Sequence, residues 1–266
     1  MKKLKFKTIS KKQLADTITP VGMYSKIRDK YANSLLLESS DYHSKEESFT
    51  FICAEPIVTL KADDNTFSYC YKNKMIDTKV IDRDFYSIFQ DYSKTIEVDC
   101  DPEIKSYNGF YGYVSYNSIQ YFETIKLKAE KAASEIPDLQ FSFFRFIIAI
   151  NHFNDELTLI ENLEEGEESR IEEIQTLINA RTYGLYKFDM KGEESSNCTD
   201  EYFKNNVAKA KQHCKRGDVF QLVLSRQFQQ SFAGDDFNVY RALRSINPSP
   251  YLFYFDYGSF KLMGSS

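Results

Sequence analysis

Leu139-Gln-Phe-Ser-Phe-Phe-Arg-Phe-Ile-Ile-Ala-Ile-Asn151, followed by Leu157-Thr-Leu-Ile-Glu161, decides the fold class. Both runs have strand length and are rich in Phe and Ile, side chains that suit a pleated, half-buried surface. Between them, Phe153-Asn-Asp155 supplies turn chemistry, so the two runs read as a hairpin. Working outward toward the amino terminus, Gly109-Phe-Tyr-Gly-Tyr-Val-Ser-Tyr116 reads as a strand whose glycines mark the close approach of another backbone. Residues 49–53 and 57–62 read as two strands, and Asp63-Asp-Asn-Thr66 turns the chain back into a strand over 67–71. Residues 34–38 form a short apolar run ending in charge, and residues 4–9 alternate like an edge strand. Helical spacing appears at 20–30, opened by Pro20, at 84–92, and at 167–180, where Ile171, Ile174, Leu177 and Ile178 share one face.

Toward the carboxyl terminus, residues 183–196 are polar and irregular and form the best boundary in the chain. Thr199 then reads as a helix N-cap, with the helix running to Arg216 and stopping at Gly217, which tolerates a left-handed backbone. Residues 219–228 alternate as a strand, 235–246 read as a helix, and Tyr251–Asp256 with 260–263 form a hairpin across Tyr257-Gly258. Strands and helices mix without regular βαβ alternation. The expected fold class is α+β, with mixed, mainly antiparallel sheets and packed helices.

Composition narrows the function classes. The 266 residues are 42% hydrophobic and 27% charged, an ordinary globular balance, and the 15% aromatic content is Phe and Tyr without Trp. A net charge of -5 with no basic stripe argues against general affinity for nucleic acid. The longest apolar run, residues 144–150, is far shorter than the roughly 20 residues that span a bilayer. The opening Met1-Lys-Lys-Leu-Lys-Phe-Lys7 lacks the apolar core of a signal peptide, so a soluble, cytoplasmic protein is expected. Five scattered cysteines without a Cys-x-x-Cys pair suggest neither a disulfide framework nor a zinc site, and His43, His152 and His213 stand apart from one another. The Asn197-Cys-Thr199 sequon has no secretory context, and Arg216-Gly-Asp218 sits between a helix and an expected strand.

No P-loop, dinucleotide glycine fingerprint, nucleophile elbow or cluster of metal ligands is present in the sequence. Two segments stand out instead. In Gly217-Asp-Val-Phe-Gln-Leu-Val-Leu-Ser-Arg226, a period of two puts Phe220, Leu222 and Leu224 on one face and Gln221, Val223 and Ser225 on the other. Spacing alone gives Gln221 two readings, a neutral amide aimed into a pocket or a cross-strand polar contact. In Asn247-Pro-Ser-Pro-Tyr251, two prolines fix φ and remove two N–H donors. Such a loop either holds carbonyls and a Tyr ring toward a ligand or is a stiff helix-to-strand connection.

These segments, together with Leu35-Leu-Leu-Glu-Ser39, Gly109–Tyr116, Ile136-Pro-Asp-Leu139, Tyr240-Arg-Ala-Leu-Arg244, Asn247-Pro-Ser-Pro-Tyr-Leu-Phe-Tyr254 and Gly264-Ser-Ser266, resemble component I of the anthranilate synthases, in the chorismate-utilising enzyme family. They occur in the family's order and cover nearly the whole chain. The resemblance implies an enzyme that, with Mg²⁺ and ammonia from a glutamine amidotransferase subunit, converts chorismate into anthranilate and pyruvate. It also implies feedback inhibition by L-tryptophan. The L-tryptophan site carries over onto Glu38 and Ser39 on one side and Pro250, Tyr251 and Leu252 on the other. A tryptophan zwitterion needs an anion for its ammonium, donors for its carboxylate and an apolar slot for the indole; Glu38, Ser39 and the Pro–Tyr–Leu wall match these needs. A buried Glu38 would itself require such a cation.

Gln221 gains a meaning from the same resemblance. Relatives that add water to chorismate carry a lysine at the matching position, where it can act as a general base. Ammonia is already a nucleophile, so a neutral amide suffices, and Gln221 favours anthranilate over isochorismate formation. The family's catalytic histidine, Mg²⁺-binding glutamates and substrate-binding arginine follow the Gly-Ser-Ser stretch. The expected organisation is therefore an amino-terminal regulatory region over 1–190 and the start of a chorismate-binding domain over 191–266, truncated part-way through that fold. The 266 residues alone are expected to be inactive. The alternatives are component I of aminodeoxychorismate synthase, in the folate pathway, and a non-catalytic amino-acid-binding module.

Overall fold

The computed structural model describes residues 3–39, 48–81, 85–125, 127 and 136–266. His43 and Asp84, the first residue of an expected helix, lie outside the described residues. The chain forms two compact units, one of residues 1–184 with 240–266 and one of residues 185–239.

The first unit opens with β1 (Leu4–Leu14), α1 (Pro20–Arg28) and β2 (Leu35–Ser39). Thr19 caps α1 by accepting from the Gly22 N–H, and Pro20 occupies the first turn, where no intrahelical N–H is needed. β1 is longer than its alternating first residues suggest and is not an edge. It pairs antiparallel with the segment 156–164 and parallel with the segment 96–99. Residues 49–53 and 57–62 are one strand, β3 (Phe49–Asp63), not two. A register shift at Pro56, beside Glu55 with φ of 60°, bends it without ending it. The expected turn at Asp64-Asn65 leads into β4 (Thr66–Tyr71), and β5 (Lys74–Val80) follows. Then come α2 (Phe85–Ser93), β6 (Ile96–Asp99), β7 (Phe110–Val114), β8 (Leu139–Asn151), β9 (Glu156–Glu164) and α3 (Ile171–Asn179).

β8 is the organising strand, as its apolar run implies. It pairs with β3 along its length, with β7 over residues 139–143 and with β9 over residues 146–151. A strand bordered on both edges and covered on both faces needs no polar alternation. Arg145, the charged residue inside the run, is matched by fully buried Glu161 of β9 at 2.9 Å. The approach predicted at the glycine-rich strand is real: a Cβ on Gly112 would lie 1.9 Å from the Gln140 carbonyl oxygen.

In the second unit, β10 (Phe188–Ser196) and β11 (Phe228–Gly234) form an antiparallel two-stranded ribbon, with α4 (Asp200–Arg216) between them in sequence. Thr199 Oγ1 accepts from the Tyr202 N–H at 3.2 Å and Gly217 closes α4 with φ of 80°, as the cap residues predict. The strand expected over 219–228 does not form. Residues 221–227 are irregular, and β11 begins only at Phe228. Alternation prepares a face for burial, but a strand also needs a neighbour for its backbone groups, and none of the described strands pairs with this segment.

The chain re-enters the first unit through α5 (Phe237–Ile246) and ends in the hairpin β12 (Tyr251–Asp256) and β13 (Lys261–Ser265). Residues 240–266 thus belong with the amino-terminal sheet, because β12 pairs with β2. Among the described residues, this sheet has eleven strands, with the main path β13-β12-β2-β3-β8-β9-β1-β6. Every pairing is antiparallel except β1 with β6, so the α+β expectation holds. Aromatic side chains fill core clusters among the described residues, one around Phe67, Phe85, Tyr92 and Phe143 and another around Phe144 and Phe255. No described helix is long and apolar enough to cross a membrane.

Candidate functional site

The β2–β12 ladder brings together positions more than two hundred residues apart. Tyr251 lies opposite Ser39, and Leu252 lies opposite Glu38. Four of the residues carried over by the family resemblance are therefore direct partners, with Pro250 immediately before the ladder. Residues directly opposite share a sheet face, and neighbours along a strand take opposite faces. Glu38 and Leu252 thus share one face, with Thr50 of β3 opposite Glu38 on the other side. Ser39 and Tyr251 take the opposite face at the strand end. Leu252 is buried, whereas Tyr251 is 61% exposed.

Glu38 is only 7% exposed, and α5 supplies its partners. Tyr240 and Arg244, one helical turn apart, converge on the carboxylate. The Tyr240 hydroxyl donates to Oε2. Arg244 Nε donates at 2.9 Å and 3.1 Å to the two oxygens. Tyr240 is fully buried against Tyr254, with ring centroids 5.7 Å apart. Burial, reinforced by the Glu38 charge, pushes the Tyr240 phenol well above its ordinary range and keeps it a donor. The Arg244 side chain remains 44% exposed. Arg244 therefore supplies within the chain the cation that burial of Glu38 demands, so burial alone does not require a ligand's ammonium group.

Next to this pair, His152 Nε2 lies 2.8 Å from Thr50 Oγ1. Partial burial lowers the His152 pKa, with Glu38 and Asp155 pulling it up and Arg244 pushing it down. Ser48 Oγ donates to the Ser39 carbonyl at 2.8 Å. The Asn247–Pro250 loop is tied to the end of the last hairpin. Ser265 Oγ donates to the Asn247 carbonyl at 2.6 Å, and Tyr251 and Ser266 exchange backbone hydrogen bonds at 2.8 Å and 3.0 Å. The stiff loop and the Gly264-Ser-Ser266 stretch thus form one local structure.

Sequence reasoning missed Tyr240, Arg244 and His152 as neighbours of Glu38. The first two carried a readable signal, the i, i+4 spacing in Tyr240-Arg-Ala-Leu-Arg244 on a helix leading into the proline loop. His152 carried none, since β3 and β8 bring it there. Gln221 is exposed in the irregular segment of the second unit, rather than held on a strand. Among the described residues, no three His, Cys, Asp or Glu side chains are grouped to hold a metal ion.

The chain is 28% identical over 268 residues to anthranilate synthase component 1 of Lactococcus lactis, covering 95% of this chain and 55% of that protein. It is 29% identical over 288 residues to the Geobacillus stearothermophilus protein of the same name, covering 97% and 55%. The chain spans about half the length of the curated relatives it matches. The crystal structure of anthranilate synthase component I from Streptococcus pneumoniae superposes with a TM-score of 0.63 at 20% identity, over 96% of this chain and 57% of that one. The menaquinone-specific isochorismate synthase of Escherichia coli superposes with a TM-score of 0.54 at 10% identity, over 100% and 51%. These two structures share the fold. A family model described as chorismate binding enzyme matches residues 35–266, from the strand that carries Glu38 to the end of the hairpin that fixes the proline loop. On that match, the chain belongs to the chorismate binding enzyme family.

Proposed function

We propose that this chain carries the L-tryptophan-sensing part of an anthranilate synthase component I, together with the first elements of its chorismate site. The observation that carries the reading is the β2–β12 pairing, which sets Glu38 and Ser39 against Leu252 and Tyr251. Tryptophan would bind over the end of these two strands, where the faces bearing Glu38 and Ser39 meet. Glu38 accepts from its ammonium group, Ser39 donates to its carboxylate, and Pro250, Tyr251 and Leu252 bound the indole. The Glu38–Arg244 pair suits a zwitterion, because an anion and a partly exposed cation stand side by side.

The catalytic proposal concerns the product of the intact gene. It converts chorismate and ammonia into anthranilate and pyruvate, with a glutamine amidotransferase subunit as ammonia source. Mg²⁺ would be bound by residues other than the described ones. Gln221 contributes a neutral amide and no general base, which leaves ammonia rather than water as the nucleophile. The 266 residues alone are expected to lack activity.

The test is product identification. The intact gene product, incubated with chorismate, ammonium ion and Mg²⁺, is expected to form anthranilate and pyruvate in equal amounts. Formation of aminodeoxychorismate or isochorismate in place of anthranilate would overturn the reading, as would anthranilate formation by the 266 residues alone.

A further inference from the structure

Residues 219–226 keep a strand's side-chain pattern although they form no strand. Among the described residues, their backbone makes no hydrogen bond and no strand pairs with them. Phe220, Leu222, Val223 and Leu224 are all exposed, and no charge interrupts the segment between Asp218 and Arg226. The ribbon that follows adds to this apolar surface, because Met190 of β10 and Phe232 of β11 are direct partners and both are exposed. An uncharged, unpaired segment with one apolar face is a template for another strand.

The segment is complementary to itself in one register. In an antiparallel pair of two copies, a two-fold axis at Leu222 sets Leu222 opposite itself and Phe220 opposite Leu224. Gln221 then faces Val223, and Asp218 faces Arg226 at both ends of the ladder. The apolar residues of both copies fall on one face, because opposite residues share a face. Moving the axis to Gln221 sets Arg226 against Arg216 and Asp218 against Leu224. Moving it to Val223 sets Phe220 against Arg226 and Asp218 against Phe228. An axis between residues mixes the apolar face of one copy with the other face of its partner. Among these registers, the axis at Leu222 matches opposite charges and apolar pairs together. Asp218 and Arg226 already hold ion pairs within the chain, with Arg216 at 2.8 Å and Asp200 at 2.6 Å, so their cross-pairs fix the register more than the strength.

We propose that residues 218–226 are a self-association strand, through which two copies of this chain join as an antiparallel ladder centred on Leu222. The ladder gives the segment the strand neighbour that its alternation calls for. This surface lies in the second unit and does not depend on the tryptophan reading.

Sedimentation equilibrium of the 266-residue chain, with amide hydrogen exchange on the same samples, tests the proposal. The chain should pass from monomer to dimer as concentration rises, and exchange should slow at residues 219–225. Leu222→Lys brings two lysines together on the axis and should weaken the dimer roughly tenfold or more. Asp218→Arg and Arg226→Asp should each weaken it roughly threefold, and the two together should recover most of that loss. Val80→Lys, on the exposed edge strand β5, should leave the dimer unchanged. The measurements on the unaltered chain decide the matter even if a variant does not fold. A monomer at every concentration, a dimer without protection of residues 219–225, or a dimer that survives Leu222→Lys or is lost on Val80→Lys would overturn the proposal. So would charge reversals that fail to compensate each other. Slow exchange at residues 219–225 in a monomeric intact gene product would also overturn it, by giving the segment a partner elsewhere in that protein.

Discussion

Glu38 shows how one residue's setting changes the inference drawn from it. A buried carboxylate demands compensation, and the chain provides it through Tyr240 and Arg244. Arg244→Ala would leave the charge with Tyr240 alone. Loss of a hydrogen bond to a charged group costs about 1.5–3 kcal/mol. The partial exposure of Arg244 holds the expected loss at or below this range, short of the roughly 3–5 kcal/mol for breaking a fully buried pair. Urea denaturation should show that loss, and adding Glu38→Gln should recover part of it by removing the orphaned charge. His152 makes a separate prediction. Its folded-state pKa lies below the usual value, so the unfolded chain takes up the proton first as pH falls. Its contribution is therefore constant above about pH 6.5 and is lost as pH drops below that value. Comparing urea midpoints of the wild type and His152→Gln from about pH 7.5 down to about pH 5.5 should show a shallower decline in the variant.

At the scale of elements, close backbone packing can be tested at β7. A methyl group on Gly112 would meet the Gln140 carbonyl at 1.9 Å, and a backbone carbonyl inside a paired strand has little freedom to retreat. Overpacking of this kind costs typically about 1–3 kcal/mol. Gly112→Ala should lower stability by at least that much, whereas Gly109→Ala, where an added methyl group would enter open space, should change it far less. That glycine pattern was legible in the sequence, as were β8, the caps of α4 and the final hairpin. Each has a strong local cause: a long apolar run, a capping side chain, a turn glycine. β5 and β10 were not legible, because strands with mostly exposed side chains carry no hydrophobic period. The strand expected over 219–228 failed in the opposite direction, with clear alternation but, before Phe228, no strand partner among the described residues. The bend at Pro56 hid the unity of β3, since proline reads as a break where a bulge accommodates it.

For the molecule as a whole, the return of residues 240–266 to the amino-terminal sheet matters most. It joins Leu35–Ser39 to Tyr251–Asp256 and gives Glu38 its helix-borne partners. The residues of the candidate site were legible through family resemblance, but their juxtaposition was not, because a contact spanning more than two hundred residues leaves no local trace. Nor could the sequence show that Arg244 already neutralises Glu38. The central claim is that these strands form an L-tryptophan site. Calorimetric titration of the intact gene product with L-tryptophan tests it most directly, with Glu38→Gln as the comparison. The account predicts saturable binding to the wild type and affinity reduced at least tenfold in the variant; no binding to the wild type, or equal affinity in both, would contradict it.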